Sequence, residues 1–302
     1  MGGRLARAFR SVYERVLRHE ISGAPEHIAV IQDGNRRYAR EQGEDATEGH
    51  EAGAETTERV LDWCAELGIE ELTLYAFSTE NFNRPPAERE HLFDLLEEKL
   101  YEFADSDRVH EDEVTVRAIG ETHRLPMRVQ EAIEYAERRT APYDSFTLNI
   151  AVAYGGRAEL LNAARDVARA VDAGELDPEG VDAEAVESRL YDGEVRDVDL
   201  IVRTGGDERT SNFLPWHANG NEAAAFFCTP YWPEFSKIDL LRAVRTYEAR
   251  EASWRRTRAR RALAVVRALG GEVREARRIL DRFRDHLPEP APEVRETEPP
   301  AD

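Results

Sequence analysis

Asp33, Gly34, Asn35, Arg36, Arg37 and Tyr38 follow directly on the apolar run HIAVI at 27–31. A strand that enters a glycine turn and then a helix leaves backbone N–H groups without intrahelical partners. Those donors, with the positive end of the helix dipole, suit a diphosphate. Arg36 and Arg37 would add charge-assisted hydrogen bonds to phosphate oxygens. Asp33 offers a hard oxygen to Mg²⁺, an ion that takes few carboxylates and completes its shell from substrate phosphates and water. A plain Asp-Gly turn ahead of a solvated basic helix would carry the same residues, and locally both readings stand.

Three further clusters have the same character. Ser78-Thr79-Glu80-Asn81-Phe82-Asn83-Arg84-Pro85-Pro86 follows the apolar run ELTLYAFS and is long for a strand-to-helix loop, so a mobile lid is expected there. Its Ser, Asn and Arg residues suit a pyrophosphate, and a polar surface loop is the competing reading. Arg203-Thr204-Gly205-Gly206-Asp207-Glu208-Arg209-Thr210-Ser211-Asn212 ends the run VDLIVRT. Its glycines let backbone approach an anion closely, and Arg203, Arg209 and Ser211 could form a second diphosphate cradle. Tyr154-Gly155-Gly156-Arg157 repeats the strand-to-helix junction, with glycines that tight packing alone would explain.

The elements between the clusters alternate. Strands are expected at 27–31, 71–78, 114–120, 146–154, 198–204 and 223–228. Helices are expected at 4–19, 49–67, 87–104, 123–139, 157–173, 237–250 and 252–285. Gly68 reads as a helix stop. This alternation implies right-handed βαβ units and an α/β fold with a mostly parallel central sheet flanked by helices. Ligands in such sheets bind beyond the carboxyl ends of the strands, where the polar clusters fall. The domain reading is an N-terminal amphipathic helix at 1–20, one α/β domain at 21–286 and a disordered acidic, Pro-rich tail at 287–302. The helix has apolar positions at Leu5, Phe9, Val12, Val16 and Leu17. Packing on the domain is favoured for it over a membrane-surface contact.

The 302 residues carry a formal net charge of −20, and Lys99 and Lys237 are the only lysines. Such acidity disfavours both nucleic acid and anionic membrane surfaces as general partners. It points instead to a solvated surface in a salt-adapted protein. Cys64 and Cys228 lie in no Cys/His cluster, so neither a zinc site nor a disulfide framework is expected. With no apolar run of about 20 residues and no leader-like start, a cytoplasmic location is expected.

Taken in order over about residues 20–255, these segments resemble the cis-prenyltransferase family, whose best-known members are undecaprenyl diphosphate synthases. The likeness rests on HIAVIQDGNRRYAR, GHEAG at 49–53, ELTLYAFSTENFNRP, LNIAVAYGGR, DLIVRTGGDERTSNFLPW and YWPEF at 231–235. It implies a single domain with a hydrophobic tunnel. It also implies elongation of an allylic prenyl diphosphate by isopentenyl diphosphate with Mg²⁺ as cofactor. By the resemblance Asp33 is the catalytic, Mg²⁺-binding aspartate and Glu222 supports the metal. Gly34, Asn35, Arg36, Arg37 and His50 surround the allylic diphosphate, with Tyr38 and Phe82 beside it. Ser78, Asn81 and Arg84 organise catalysis and closure, and Arg203, Arg209 and Ser211 hold isopentenyl diphosphate. The resemblance to archaeal members implies geranylgeranyl diphosphate as primer, with farnesyl diphosphate the alternative, and a glycosyl carrier lipid as the use of the product. A homodimer and a peripheral membrane contact through the product are implied as well. Some relatives are non-catalytic partner subunits that lack the aspartate; Asp33 and the complete fifth segment argue against that role. No DDxxD pair occurs, which separates the chain from trans-prenyltransferases.

Overall fold

The computed structural model describes residues 2–190, 196–218 and 223–253, with side chains from Ser11 onward. Residues up to Arg250 form one compact unit. The expected metal ligand Glu222, nearly all of the expected helix 252–285 and the tail 287–302 lie outside the described residues.

Among the described residues, six strands form one sheet. They are β1 (His27–Ile31), β2 (Glu71–Ser78), β3 (Val114–Ile119), β4 (Phe146–Tyr154), β5 (Leu200–Arg203) and β6 (Ala224–Phe227). Their order is β3-β4-β2-β1-β5-β6, and every pairing is parallel. A parallel sheet is covered on both faces, so its strands read as continuous apolar runs, and all five residues of β1 are buried. Ile28 and Val30 of β1 pack with Leu72, Leu74, Leu148, Leu200 and Val202 on one face, while Ala29, Ile31, Ala151 and Ile201 face the other. Each of these Ile, Leu and Val side chains contributes about 1.5–3 kcal/mol on burial.

The helices are α1 (Gly2–Glu20), α2 (Asn35–Gln42), α3 (Ala46–Leu67), α4 (Pro86–Asp105), α5 (Asp107–Glu111), α6 (Met127–Thr140), α7 (Gly156–Asp172) and α8 (Ala183–Glu187), and residues 237–250 are helical too. Val60, Leu61 and Cys64 of α3 cover the first face together with Leu240 and Val244, and α4 packs on α6 over β3 and β4. Gly68 takes a left-handed φ of 73° and ends α3 as the spacing predicted.

Three local expectations are corrected. Residues 79–83 are a 3₁₀ helix, not an open loop, and Pro86 opens α4 at its first position, where the missing N–H costs nothing. The helix expected from 123 starts at Met127, because Pro126 caps it and 122–124 form a separate 3₁₀ turn. On α1, Leu17 is buried against Ile238 and Leu241, but Val12 and Val16 are exposed. The expected packing face is therefore only partly packed.

The chain leaves β1 toward β2 on one side of the sheet and returns to β5 on the other. The carboxyl ends of β1 and β5 thus flank the point where strand order reverses, the usual ligand crevice of such sheets.

Candidate active site

At that crevice the first and fifth clusters meet. The Arg203 guanidinium, 5% exposed at the end of β5, donates to Asp33 Oδ2 at 2.7 Å and to Asp207 Oδ2 at 3.0 Å through one nitrogen. The other nitrogen donates to the Arg209 carbonyl at 2.6 Å and to Ser211 Oγ at 2.7 Å. Arg37 reaches the same carboxylate at Asp33 Oδ1, 3.1 Å away, and donates to the Gly205 carbonyl at 2.7 Å. Asp33 thus stands between two guanidinium groups, one from each predicted diphosphate cradle. Arg209 is 71% exposed and pairs with Asp207 at 3.3 Å.

The backbone of Asp33 is pinned by residues that sequence reasoning did not single out. Thr204 Oγ1 donates to the Asp33 carbonyl at 2.7 Å and accepts from its N–H at 3.0 Å, and Trp232 N–H donates to the same carbonyl at 3.0 Å. Gly34 follows at φ 109°, and a Cβ there would lie 2.6 Å from the Tyr231 ring. Only glycine satisfies both constraints. The turn leaves the first N–H groups of α2 without intrahelical partners at the end of β1.

A second group flanks it. Glu88, on the first turn of α4 and only 10% exposed, accepts from Arg84 at 2.8 Å and lies 3.4 Å from Arg36 Nε and 3.5 Å from His50 Nε2. Arg84 also donates toward His50 Nε2 at 3.2 Å. A guanidinium only donates, so Nε2 accepts and the ring proton sits on Nδ1. Burial, and then the charge of Arg84, push the His50 pKa down to about 4. The ring is neutral at physiological pH. Glu88 is a residue that the sequence reading missed; an acidic side chain in a helix's first turn reads as an ordinary dipole partner.

The remaining predicted positions divide. Ser78 and Asn81 cap the 3₁₀ helix reciprocally: Ser78 N–H donates to Asn81 Oδ1 at 2.9 Å, and the Ser78 side chain accepts from the Asn81 backbone. Phe82 points into the core on Phe77 at 5.1 Å, with the Arg124 guanidinium 4.6 Å above its ring. Tyr38 is half-buried on α2. Asn35 lies against Gly53 of α3, where a Cβ would come within 2.7 Å of Asn35 Oδ1, a buried atom with no hydrogen-bond partner. After β5, Ser211 and Asn212 hold left-handed φ values of 50° and 58°, backbone strain of the kind that collects at functional sites.

Asn35 and His50 also line a cavity of about 280 Å³ between α3, α4 and the sheet. Its walls are Leu61, Leu74, Leu92, Leu96 and Ile150, and Lys99 and Arg108 line it as well. Lys99 is tied to Glu58 at 3.0 Å, and Arg108 to Asp62 at 2.7 Å. A second cavity of about 240 Å³, lined by Ala65, Gly68, Ile69 and Phe146, shares Leu61, Phe103 and Arg108 with the first. A charged rim over an apolar hollow can hold an anionic head and a hydrocarbon tail at once.

The chain is similar to known proteins. Residues 31–255 match the prenyltransferase family model described as undecaprenyl diphosphate synthase. A tritrans,polycis-undecaprenyl-diphosphate synthase (geranylgeranyl-diphosphate specific) of Halobacterium salinarum is 72% identical, over 97% of each chain. The protein of that name from Haloarcula marismortui is 68% identical over 92% of each chain. Among solved structures, lavandulyl diphosphate synthase from Lavandula x intermedia, in complex with dimethylallyl diphosphate, superimposes with a TM-score of 0.69 at 33% identity. That match covers 74% of this chain and 95% of that one. With its parallel sheet, its paired Asp33 and Arg203 and these matches, the chain belongs to the undecaprenyl diphosphate synthase family of cis-prenyltransferases, enzymes of prenyl-chain elongation.

Proposed function

We propose that this enzyme extends geranylgeranyl diphosphate by repeated cis-condensation with isopentenyl diphosphate, using Mg²⁺, and houses the growing chain in the apolar hollow under Asp33. The observation that carries the reading is the 2.7 Å Asp33–Arg203 pair, which joins the two anion-binding groups at one rim. The primer is supported by the names of the haloarchaeal relatives.

The donor chemistry at this rim fits Mg²⁺. Asp33 and Asp207 are hard oxygen donors converging on one arginine nitrogen. No group of three or more His, Cys, Asp or Glu ligands occurs among the described residues. Mg²⁺ takes few carboxylates and is held largely through substrate phosphates. Asp33 is the residue that would hold it, and Glu222 is the second ligand the family resemblance implies. Bound Mg²⁺ supplies positive charge to the departing diphosphate.

The chain's own residues do the rest. Backbone N–H groups of α2, with Gly34, Asn35, Arg36, Arg37 and Arg84, hold the allylic diphosphate. Neutral His50 fixes Arg84 without adding charge. Arg203, Arg209 and Ser211 hold the diphosphate of isopentenyl diphosphate beside it. Its terminal alkene carbon bonds to C1 of the allylic partner as the C1–O bond breaks with its electron pair on the diphosphate. A proton passes from C2 to the departed diphosphate, and Asn35 assists that transfer as the resemblance implies. Ser78 and Asn81 hold the 3₁₀ turn that sets Arg84. The arginines act where negative charge grows, which is where fixed charge lowers a barrier most.

A homodimer, a cytoplasmic location, product contact with membranes and use of the product as a glycosyl carrier belong to the same proposal. No described helix is long and apolar enough to cross a membrane. The test is incubation of the purified chain alone with labelled isopentenyl diphosphate, Mg²⁺ and each allylic primer in turn, with products sized by mass. Geranylgeranyl diphosphate should give the highest turnover, and Asp33→Ala should lower turnover by several orders of magnitude with the fold intact. Near-normal turnover of the variant rejects the role of Asp33. Activity that appears only with an added second protein favours the partner-subunit reading.

A further inference from the structure

The outer side of α1 is left open. Its inner side is held by Leu17, buried on Ile238 and Leu241, by Arg18 on Glu66 at 3.2 Å and by Lys237 near Glu14 at 3.6 Å. One turn apart on another side, Val12 is 57% and Val16 is 48% exposed, and Tyr13 beside them is 40% exposed. Half of the large exposed apolar side chains among the described residues therefore sit within five positions of one helix. In the sequence, Leu5 and Phe9 continue the same spacing of three and four.

The charge of this helix is opposite to that of the protein. Residues 1–20 hold five arginines and two glutamates in a chain of net charge −20. Arg15 is exposed and makes no ion pair among the described residues. The stretch 254–285 shows the same bias in sequence, with eleven arginines against four acidic residues. An apolar stripe bordered by arginines is the composition of a helix that lies in the interface of an anionic bilayer.

We propose that α1 docks on an anionic lipid bilayer, with Val12 and Val16 entering the headgroup boundary and Arg15 facing lipid phosphates. The position suits the reaction. Arg18 ties α1 to the last turn of α3, and Ala65, Gly68 and Ile69 from that end of α3 line the second of the two cavities. Docking there sets the far end of the hydrocarbon hollow beside the medium in which a long polyprenyl chain dissolves. The choice of a bilayer rests on the reading of the chain as a polyprenyl diphosphate synthase. The binding assay contains no substrate, so failure of docking and failure of that reading are separable.

The test is co-sedimentation of the full chain with vesicles of phosphatidylcholine alone and of phosphatidylcholine mixed equally with phosphatidylglycerol. The parent should sediment with the mixed vesicles and much less with the neutral ones. That preference should fade as salt shortens the screening length to about 3 Å at 1 M. The double variant Val12→Ser/Val16→Ser should lose about tenfold or more in partition, since the apolar area is the anchor. Val12→Trp should gain, and turnover of both variants on detergent-dispersed primer should equal that of the parent. Parent protein that stays in the supernatant with anionic vesicles overturns the proposal. So does a double variant that sediments like the parent. A double variant that changes the oligomeric state reassigns the stripe to a second copy, and one that lowers the melting temperature by many degrees reassigns it to a segment of this chain; either overturns docking on lipid.

Discussion

Replacing Glu88 by glutamine removes one charge from the allylic side of the site and changes almost nothing in shape. The oxygen that accepts from Arg84 at 2.8 Å remains. What disappears is the carboxylate that Arg84, Arg36 and His50 share at 2.8, 3.4 and 3.5 Å. Two unit charges about 4 Å apart attract by about 4 kcal/mol at an effective dielectric of 20. Arg36 is half exposed, so its share is largely screened by water. Arg84 is 22% exposed, and a hydrogen bond between charged groups there contributes about 1.5–3 kcal/mol net. Glu88→Gln should therefore cost about 2 kcal/mol, a fall in melting temperature of roughly 5 °C. The functional effect has a distinctive sign. The bound diphosphate replaces the missing negative charge, so inorganic pyrophosphate should restore most of the lost melting temperature in the variant. Arg84 would no longer be held against His50 before substrate arrives, so kcat should fall about tenfold while KM for the allylic diphosphate stays level or drops. Differential scanning fluorimetry with and without pyrophosphate, and steady-state rates with labelled isopentenyl diphosphate, read both effects. An unchanged melting temperature together with an unchanged kcat refutes the reasoning. A raised KM at constant kcat would show that Glu88 merely helps binding.

Gly49→Ala would set a methyl group 2.2 Å from the Asn35 carbonyl and 3.0 Å from Ala39 Cβ. It should cost about 2 kcal/mol or more, seen as a lower urea midpoint, and should lower turnover by displacing the turn after Asp33. Acid should destabilise the fold through buried histidines. Burial depresses His27, and holds both His50 and His217 at about 4. Each is neutral in the folded chain but takes a proton near 6.5 when unfolded, so this stability is full above about pH 6.5 and is lost as pH falls toward 4, by a few kcal/mol in all. Urea midpoints at pH 7, 5.5 and 4.5 that do not move would reject it. Phe103 stands between the two cavities, so Phe103→Ala should shift products to longer chains by mass; an unchanged distribution would take the second cavity out of the product path.

The limits of sequence reading lie in long-range geometry. HIAVI could be read as a strand because a parallel strand is apolar on both faces, and Asp33 could be read as functional because it leaves that strand through a glycine. That Arg203 shares its rim could be read from two polar clusters at the carboxyl ends of parallel strands, but the direct contact could not, for it spans 170 positions and depends on β5 pairing with β1. Glu88 was invisible for a related reason: its burial comes from α2 and α3 closing over the start of α4, while its own segment looks solvated. Ser78 and Asn81 show the converse. Their spacing of three is that of a reciprocal cap, so a structural bond was available from the letters beside the catalytic reading, and Arg84 caps the 3₁₀ turn they open. The glycines of GHEAG are legible in the same physical sense. Gly49 and Gly53 fall one helical turn apart on α3, and a side chain at either would strike Asn35. Their value to the site is therefore proximity: they let α3 come close enough to α2 to present His50 beside the diphosphate-binding turn.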